Sequence, residues 1–467
     1  MSIADQGTAD QVVAELREAF GDRTGQTVVT DPEALAELGV DTSGVRRGSA
    51  LALVRPATTE AVQRVVRIAD RHVVPVVAQG SRSSLAGAAS APEGAILVDF
   101  SRMRQIIAID PLERLAVVQP GVRVEELAAA AERAGLFYAP DPVSSHIASI
   151  GGTIATNAGG MRCIKYGVTR DSVRSLEVVL ADGSVIDTRR NTIKSVAGLD
   201  LTSLIVGSEG TLGIVTEITV GLRSAPGPSR GASAMFSSIE AALDAANAIA
   251  TGPQPPSVLE MLDDVALGAI RGYDPSLQIP DTARAWLLAV TDSRVGADEE
   301  LDAFERVFAE RGALLSRRAE TPAELDRLFA TRRALHPGMQ AFLGGSLNGD
   351  IAVPRGALGE VVERAAEIAT RFDVIVSIGG HVGDGNLHPV VAYDPADAEQ
   401  TRRAHAAQDE LLAVAQELGG TVTGEHGIGV EKLHALDGEL SPRVRELQRA
   451  IKAAFDPKGI LNPGAKL

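Results

Sequence analysis

The chain has 467 residues, 45% of them hydrophobic and 3% aromatic, with 47 glycines, one cysteine and a formal net charge of −16. At roughly 150 residues per domain this length makes about two or three domains, and the apolar content supplies packed cores and argues against a mainly disordered chain. The negative charge repels phosphate backbones and excludes nucleic acid as the natural partner, while a lone Cys163 excludes a disulfide framework and a thiolate-rich zinc or iron–sulfur site.

Met1–Gln6 has neither the basic start nor the apolar run of a signal peptide. No stretch reaches the roughly 20 apolar residues of a transmembrane helix. A cytoplasmic protein, with at most a peripheral membrane contact, is the expectation.

Residues 7–40 read as short helical pieces and turns. Residues 59–72 place apolar side chains at helical spacing, and 73–78 read as a buried strand running into Gly80-Ser81-Arg82-Ser83-Ser84-Leu85-Ala86-Gly87. Strands follow at 96–99 and 114–122, then an amphipathic helix at 124–134. The run Leu176–Leu180 before Ala181-Asp182-Gly183-Ser184 signals a hairpin, and 215–222 another strand. Residues 224–232 read as a linker. Beyond it, helices are expected at 238–250, 297–311, 322–334 and 396–416, with strands at 285–290 and 373–378 between them. That order suggests a sheet with helices on one face.

Three glycine-rich segments carry the first functional signal. The loop 80–87 can turn amide groups toward a phosphate, with serine hydroxyls and Arg82 beside them. Taken alone, it is better explained by a polar surface turn. The run Ser149–Gly160 brackets small residues with two Gly-Gly pairs, and Gly207–Gly213 makes a third segment. Three in one half suggest an extended ligand being wrapped. None matches the GxGxxG strand-to-helix fingerprint of a Rossmann site.

The second signal is histidine. The sequence has 8 histidines, two of them in Gly379-Gly380-His381-Val382-Gly383-Asp384-Gly385-Asn386-Leu387-His388. If Gly383–Asn386 is the turn of a hairpin, Val382 faces Leu387 and His381 faces His388, with Cβ atoms within about 5.5 Å. Downstream, Glu425 and His426 sit in a glycine frame and point opposite ways if extended. His381, His388 and Glu425 would then hold a divalent ion with positions open for substrate oxygens, and His426 would take a hydroxyl proton. His72, His405 and His434, in or at the ends of helices, read as ordinary polar residues; His146 and His336 are ambiguous.

The N-terminal half resembles the FAD-binding domain of the vanillyl-alcohol oxidase superfamily. The matching pieces are Pro75-Val76-Val77 with the 80–87 loop, Gln119-Pro120-Gly121-Val122, Pro140-Asp141-Pro142, the Gly151–Gly160 run, Lys165-Tyr166-Gly167 and Gly207–Ile214. The C-terminal half is similar to the FAD-linked oxidase C-terminal domain, found in FAD-linked D-lactate dehydrogenases, the D subunit of glycolate oxidase and D-2-hydroxyglutarate dehydrogenase. That half matches through the histidine segment, Gly424-Glu425-His426-Gly427, residues 350–354, the arginine of Leu328–Arg333 and the Asn-Pro-Gly tail.

The resemblance implies an α+β protein: a helical extension over 1–45, a two-part FAD-binding domain over 46–224, and a substrate domain over 225–467. The substrate domain has an antiparallel sheet and covering helices, and about 450–467 returns to the FAD domain. It assigns FAD contacts to Gln79, Gly80, Ser81, Arg82, Ser83, Ser84, Gly87, Pro142, Gly151, Gly152, Thr153, Thr156, Asn157, Gly159, Gly160, Tyr166, Gly167, Glu209, Gly210, Gly213, Ile214 and Asn462. The FAD is expected to be non-covalent, because the first loop lacks the histidine that covalent members carry. His381, His388 and Glu425 match the metal ligands, zinc being the first candidate ahead of manganese or iron(II). His426 matches the catalytic base and Arg332 the substrate-carboxylate arginine, with Asn386 beside metal and substrate.

The implied reaction oxidises a small D-2-hydroxy acid, D-lactate or glycolate first and D-2-hydroxyglutarate as the alternative, to the 2-oxo acid. The electrons would pass to a separate acceptor, such as a quinone, a cytochrome or an electron-transfer flavoprotein. A partner subunit or a homodimer is compatible. A flavoprotein subunit without its own activity, or a flavin-free metal-binding scaffold, are the competing classes. The intact set of Arg332, His381, His388, Glu425 and His426 speaks for an enzyme.

Overall fold

A computed structural model of the chain describes residues 6–21 and 27–467. The leader reading at Met1–Gln6 falls, Gln6 apart, outside these residues, as do 22–26 of the stretch read over 7–40. The chain forms two compact units. One takes in the described residues through Gly159 with Gly167–Ala225 and Glu425–Leu467; the other takes in Gly160–Tyr166 and Pro226–Gly424.

The first unit holds two sheets. In the four-stranded sheet the order is Val28–Val29, Ala50–Val54, Ala95–Asp99, Val76–Gln79, and the last three strands run parallel. Parallel strands are stable when covered, and the helix Thr59–His72 does the covering. The Thr58 hydroxyl caps it by accepting from the Ala61 amide, Val62, Val65, Val66 and Ala69 repeat at helical spacing and are buried, and Val73 ends it in the left-handed region at φ 53°. The second sheet is antiparallel, in the order Ile106–Asp110, Leu115–Val118, Ile214–Gly221, Val173–Val179, Val185–Asp187. The expected hairpin at Ala181–Ser184 forms: Val179 pairs with Val185, and Asp182 Oδ1 accepts from both the amide and the hydroxyl of Ser184.

The second unit is built on one large antiparallel sheet. Its order is Leu315–Ala319, Arg230–Phe236, Ala285–Thr291, Val258–Asp263, Ile375–His381, Asn386–Tyr393, Gly345–Asn348, and Ile351–Ala352 also pairs with Asn386–Tyr393. Helices lie on both faces of this sheet, not on one. Met235 packs in a core with Leu267, Ile270, Leu325, Leu328, Leu335 and Met339, from the helices Asp264–Tyr273, Pro322–Arg333 and Leu335–Leu343. Its neighbour Phe236 points the other way and meets Phe308 of the helix Ala297–Glu310, ring centroids 6.1 Å apart. Strands buried on both faces lose the apolar–polar alternation that would have shown this in the sequence: all residues of Val258–Asp263 and Ala285–Thr291 are buried.

Two boundaries also differ from the sequence reading. The linker read over 224–232 gives way to strand at Arg230, because the small residues Gly231, Ala232 and Ser233 sit in a full ladder between two partners. The strand read at 373–378 begins at Ile375 and runs on to His381, because Asp373, at φ 51°, is still the left-handed cap of the helix Leu358–Phe372. His434, read in a helix, lies in the 3-10 turn Leu433–Ala435.

Asp263 gives this unit a pH dependence. It caps the helix Asp264–Tyr273 through the Ala266 amide and also accepts from the Ile378 amide at 2.6 Å and the Ser377 hydroxyl at 2.9 Å. Burial outweighs these donors and raises its pKa from 3.8 to about 7. The folded state therefore binds an extra proton between those two values, and stability falls as pH rises across that window. Thermal unfolding of the protein is expected at a lower midpoint at about pH 7.5 than at about pH 5 on this account. Asp263→Asn, which keeps the cap, should flatten the slope; an unchanged slope would count against Asp263 as its source.

Candidate functional site

The two histidines of the second unit lie on a hairpin whose register is shifted from the expected one. His381 pairs with Asn386, Gly380 with Leu387 and Gly379 with His388, so the turn is Val382–Gly385. Gly385 sets it: at φ 87° its amide donates to the His381 carbonyl, and a Cβ there would lie 2.1 Å from the Val353 carbonyl oxygen. Directly opposed residues share a face, as do residues two apart, so His381, Asn386 and His388 still project together. Gly379 opposite His388 leaves room for this. The imidazole centroids are 5.0 Å apart and nearly perpendicular, and both rings are buried.

Each imidazole is oriented through Nδ1. His381 Nδ1 meets Glu260 Oε1, and His388 Nδ1 lies 3.4 Å from the Gly349 carbonyl. A carboxylate and a carbonyl only accept, so in the neutral rings Nδ1 carries the proton and Nε2 the lone pair. Asp350, fully buried, holds the approach to the third group. It accepts from Asn386 Nδ2 at 2.8 Å, from the Thr423 hydroxyl at 2.7 Å and from the Gly424 amide at 3.0 Å. A side chain on Gly424 would lie 2.3 Å from Asn386 Nδ2, so only glycine fits there. The next residue bonded to Gly424 is Glu425, and one ligand atom from each of His381, His388 and Glu425 lies within 4.8 Å of the others. Two imidazole nitrogens and a carboxylate oxygen, largely buried, fit a divalent transition ion. His426 follows, its Nε2 3.8 Å from Glu425 Oε1 and its side chain partly exposed.

Arg332 ends the helix Pro322–Arg333, and its Nε donates to Glu260 Oε2 at 2.8 Å. Glu260 is fully buried. Burial alone would raise its pKa, but His381 and Arg332 outweigh that and hold it at about 2.

In the first unit the Gly80–Gly87 loop leaves the strand Val76–Gln79. A Cβ on Gly80 would lie 2.2 Å from the Ser149 hydroxyl, and one on Gly151 would lie 2.6 Å from the Pro120 side chain, so these backbones close together as only glycine permits. The Gly151–Thr156 part of the next segment is helical: Ile150–Thr156, capped by the Ser149 hydroxyl on the Gly152 amide and ended by Asn157 at φ 55°. Thr153 and Thr156 return their hydroxyls to the Ile150 and Gly152 carbonyls, and Asn157 Oδ1 accepts from the Arg170 amide. Ser84 Oγ accepts from the Ala86 amide, and Arg82 adopts φ 56°. Pro142 and Ile214 are buried, Gly87, Gly167 and Gly210 have positive φ, and a Cβ on Gly213 would lie 2.4 Å from Val178.

Glu209 and Asn462 have internal partners. Glu209 accepts from the Ile428 and Gly429 amides at 2.8 and 2.7 Å, and Asn462 donates to the Ala88 and Glu209 carbonyls while accepting from Arg47. Gly160 and Tyr166 belong to the second unit, where the Tyr166 hydroxyl donates to Asp292 at 2.6 Å beside Lys165.

Models of known families match both halves: "FAD binding domain" over residues 50–189 and "FAD linked oxidases, C-terminal domain" over residues 226–465. The chain belongs to the FAD-linked oxidases. It is 39% identical over 414 residues to the glycolate oxidase subunit GlcD of Bacillus subtilis (strain 168), covering 88% of each chain. It is 32% identical over 471 residues to a D-lactate dehydrogenase of Anaerostipes hadrus, covering 97% of this chain and 98% of that one. Among solved structures, a 4-ethylphenol oxidase from Gulosibacter chungangensis superposes with a TM-score of 0.80 at 19% identity, over 100% of this chain and 98% of the other. A p-cresol methylhydroxylase superposes with a TM-score of 0.79 at 20% identity, over 99% and 97%. At that identity the likeness is one of fold, the vanillyl-alcohol oxidase type of FAD-binding protein.

In the glycine-rich segments Ser84, Ser149, Thr153, Thr156 and Asn157 spend their side-chain oxygens on local hydrogen bonds. Gln79 donates to the Leu38 and Ala89 carbonyls, while its Oε1 is buried with no partner among the described residues. Gln79 is the last residue of the strand that leads into the first loop. Among the described residues no helix is long and apolar enough to cross a membrane.

Glu260 was not singled out by the sequence. Its signal was a glutamate inside Val258-Leu259-Glu260-Met261-Leu262, an apolar run reading as a buried strand, where a charge is rare unless partnered.

Proposed function

We propose that this FAD-linked oxidase oxidises a small D-2-hydroxy acid, D-lactate or glycolate, to the 2-oxo acid. The observation that carries the reading is the largely buried set of His381, His388 and Glu425 in a chain that also presents Arg332 and His426. Relatives named as a glycolate oxidase subunit and a D-lactate dehydrogenase support the substrate class. FAD accepts a hydride when bound, and a divalent ion, zinc, manganese or iron(II), polarises a hydroxyl.

The chain's own residues bind, orient and move the proton. Arg332 pairs with the substrate carboxylate, for which a planar guanidinium is suited. His381, His388 and Glu425 hold the ion, Asn386 keeps the hairpin and the Gly424 segment together, and His426 takes the hydroxyl proton. The glycine-rich residues from Gln79 through Gly87, Gly151 through Gly167 and Glu209 through Ile214, with Pro142 and Asn462, form the FAD site. The stretch Ser81–Ser84 has no histidine, so the flavin is held without a covalent bond. Electrons leave to a separate acceptor, and the word "subunit" in the name of the Bacillus relative makes a partner subunit a reasonable expectation.

The test is anaerobic. Purified protein is mixed with D-lactate, L-lactate, glycolate and D-2-hydroxyglutarate in turn while its visible flavin band is followed. Bleaching by D-lactate or glycolate but not L-lactate is the expected result. A flavin left oxidised by every acid would overturn the substrate class, and absence of a flavin band would overturn the cofactor.

A further inference from the structure

Glu260 stands between two groups that the proposed reaction uses for different tasks. Its strand, Val258–Asp263, pairs with Ile375–His381 through Met261–Gly380 and Leu262–Gly379, and Glu260 and His381 are the next residues along the two strands. The carboxylate is divided. Oε1 meets His381 Nδ1, and Oε2 accepts from Arg332 Nε at 2.8 Å. The Glu260 side chain is 0% exposed, His381 3% and Arg332 13%, so water screens neither pairing well.

We propose that Glu260 is a positioning residue that orients the carboxylate-binding arginine and the metal-binding histidine together; the inference rests on the roles given above to Arg332 and His381. Two consequences follow from the atoms involved. With Nε taken by Glu260, Arg332 offers a substrate carboxylate its Nη1 and Nη2 edge, which fixes the side from which the acid is gripped. With the proton held on Nδ1, His381 presents Nε2 to an ion, the arrangement in which a carboxylate behind a histidine strengthens metal binding. Because one carboxylate serves both, a disturbance on either side is felt on the other. A buried carboxylate with two cationic or proton-donating partners also needs both, so it would not tolerate replacement by a group that merely fills space.

The experiment uses the FAD-loaded protein and the variants Glu260→Gln, which keeps the size and loses the charge, and Glu260→Asp, which keeps the charge. Three quantities are read: affinity for Zn2+ or Mn2+ by competition with a chromophoric chelator, affinity for oxalate from its perturbation of the flavin spectrum, and the thermal midpoint. Glu260→Gln is expected to weaken metal binding by roughly 10–100-fold and oxalate binding by a factor on the order of 10, with Glu260→Asp partly restoring both. A lower midpoint with both affinities within about twofold of the parent protein would reduce Glu260 to a structural role and overturn the proposal. Should Glu260→Gln not fold, Glu260→Asp decides: affinities equal to the parent's overturn it, and intermediate losses support it. Should the parent protein itself take up neither ion, the metal assignment made above fails. The Glu260 proposal is then judged on oxalate alone, and unchanged oxalate affinity in Glu260→Gln sinks it.

Discussion

His426→Ala is expected to leave the protein folded and yellow while slowing reduction of its flavin by substrate by about 10²–10⁴-fold, the range in which a positioned general base contributes. The side chain is partly exposed, and Glu425, bonded to it in sequence, has Oε1 3.8 Å from its Nε2. A partly exposed side chain contributes little to the core, so the loss should appear in turnover more than in stability. Rapid mixing under anaerobic conditions separates the steps: flavin content and affinity for oxalate should match the parent protein, while the reduction rate falls. A reduction rate equal to the parent's would remove His426 from the reaction and reopen the identity of the base. A loss confined to oxalate or substrate affinity would make it a binding group instead.

Much of the fold could be read in the sequence because it is written in local terms. The helix Thr59–His72 has its cap, its apolar spacing and its stop within one continuous stretch, and the hairpin at Ala181–Ser184 carries its own turn residues. The histidine hairpin shows where local reading ends. Val382-Gly383-Asp384-Gly385-Asn386 contains good turn residues for two registers, and in the one that forms Gly385 packs against the Val353 carbonyl, a contact distant in sequence that leaves no room for a side chain. The expected pairing of His381 with His388 was wrong by this shift. The two rings come together all the same, because residues two apart on a strand share a face, and a shift by an even number of positions preserves which residues face one another's side.

Glu260 was hidden for a related reason. It lies 121 residues from His381 and 72 from Arg332 in the chain, and only the sheet brings the three together. The sheet's two buried faces were hidden too, because strands covered on both sides carry no alternation to reveal a solvent side.

His381→Ala and His388→Ala should both strip the ion and abolish turnover, but their costs in stability should differ. His381 faces Glu260, a fully buried carboxylate, and its removal leaves Arg332 as that group's remaining partner in the pair of contacts it makes. Breaking one side of a buried ionic arrangement costs about 3–5 kcal/mol, which for a unit of this size lowers a thermal midpoint by roughly 6–20 °C at about 2–4 °C per kcal/mol. His388 has the Gly349 carbonyl behind its Nδ1 at 3.4 Å, a long and neutral contact where His381 has a fully buried carboxylate. His388→Ala should therefore lose metal, measured by elemental analysis of the purified protein, with a midpoint well above that of His381→Ala. Metal content unchanged in both variants would exclude these histidines as ligands. Equal midpoints would mean that Glu260 is held by Arg332 alone and that its contact with His381 contributes little.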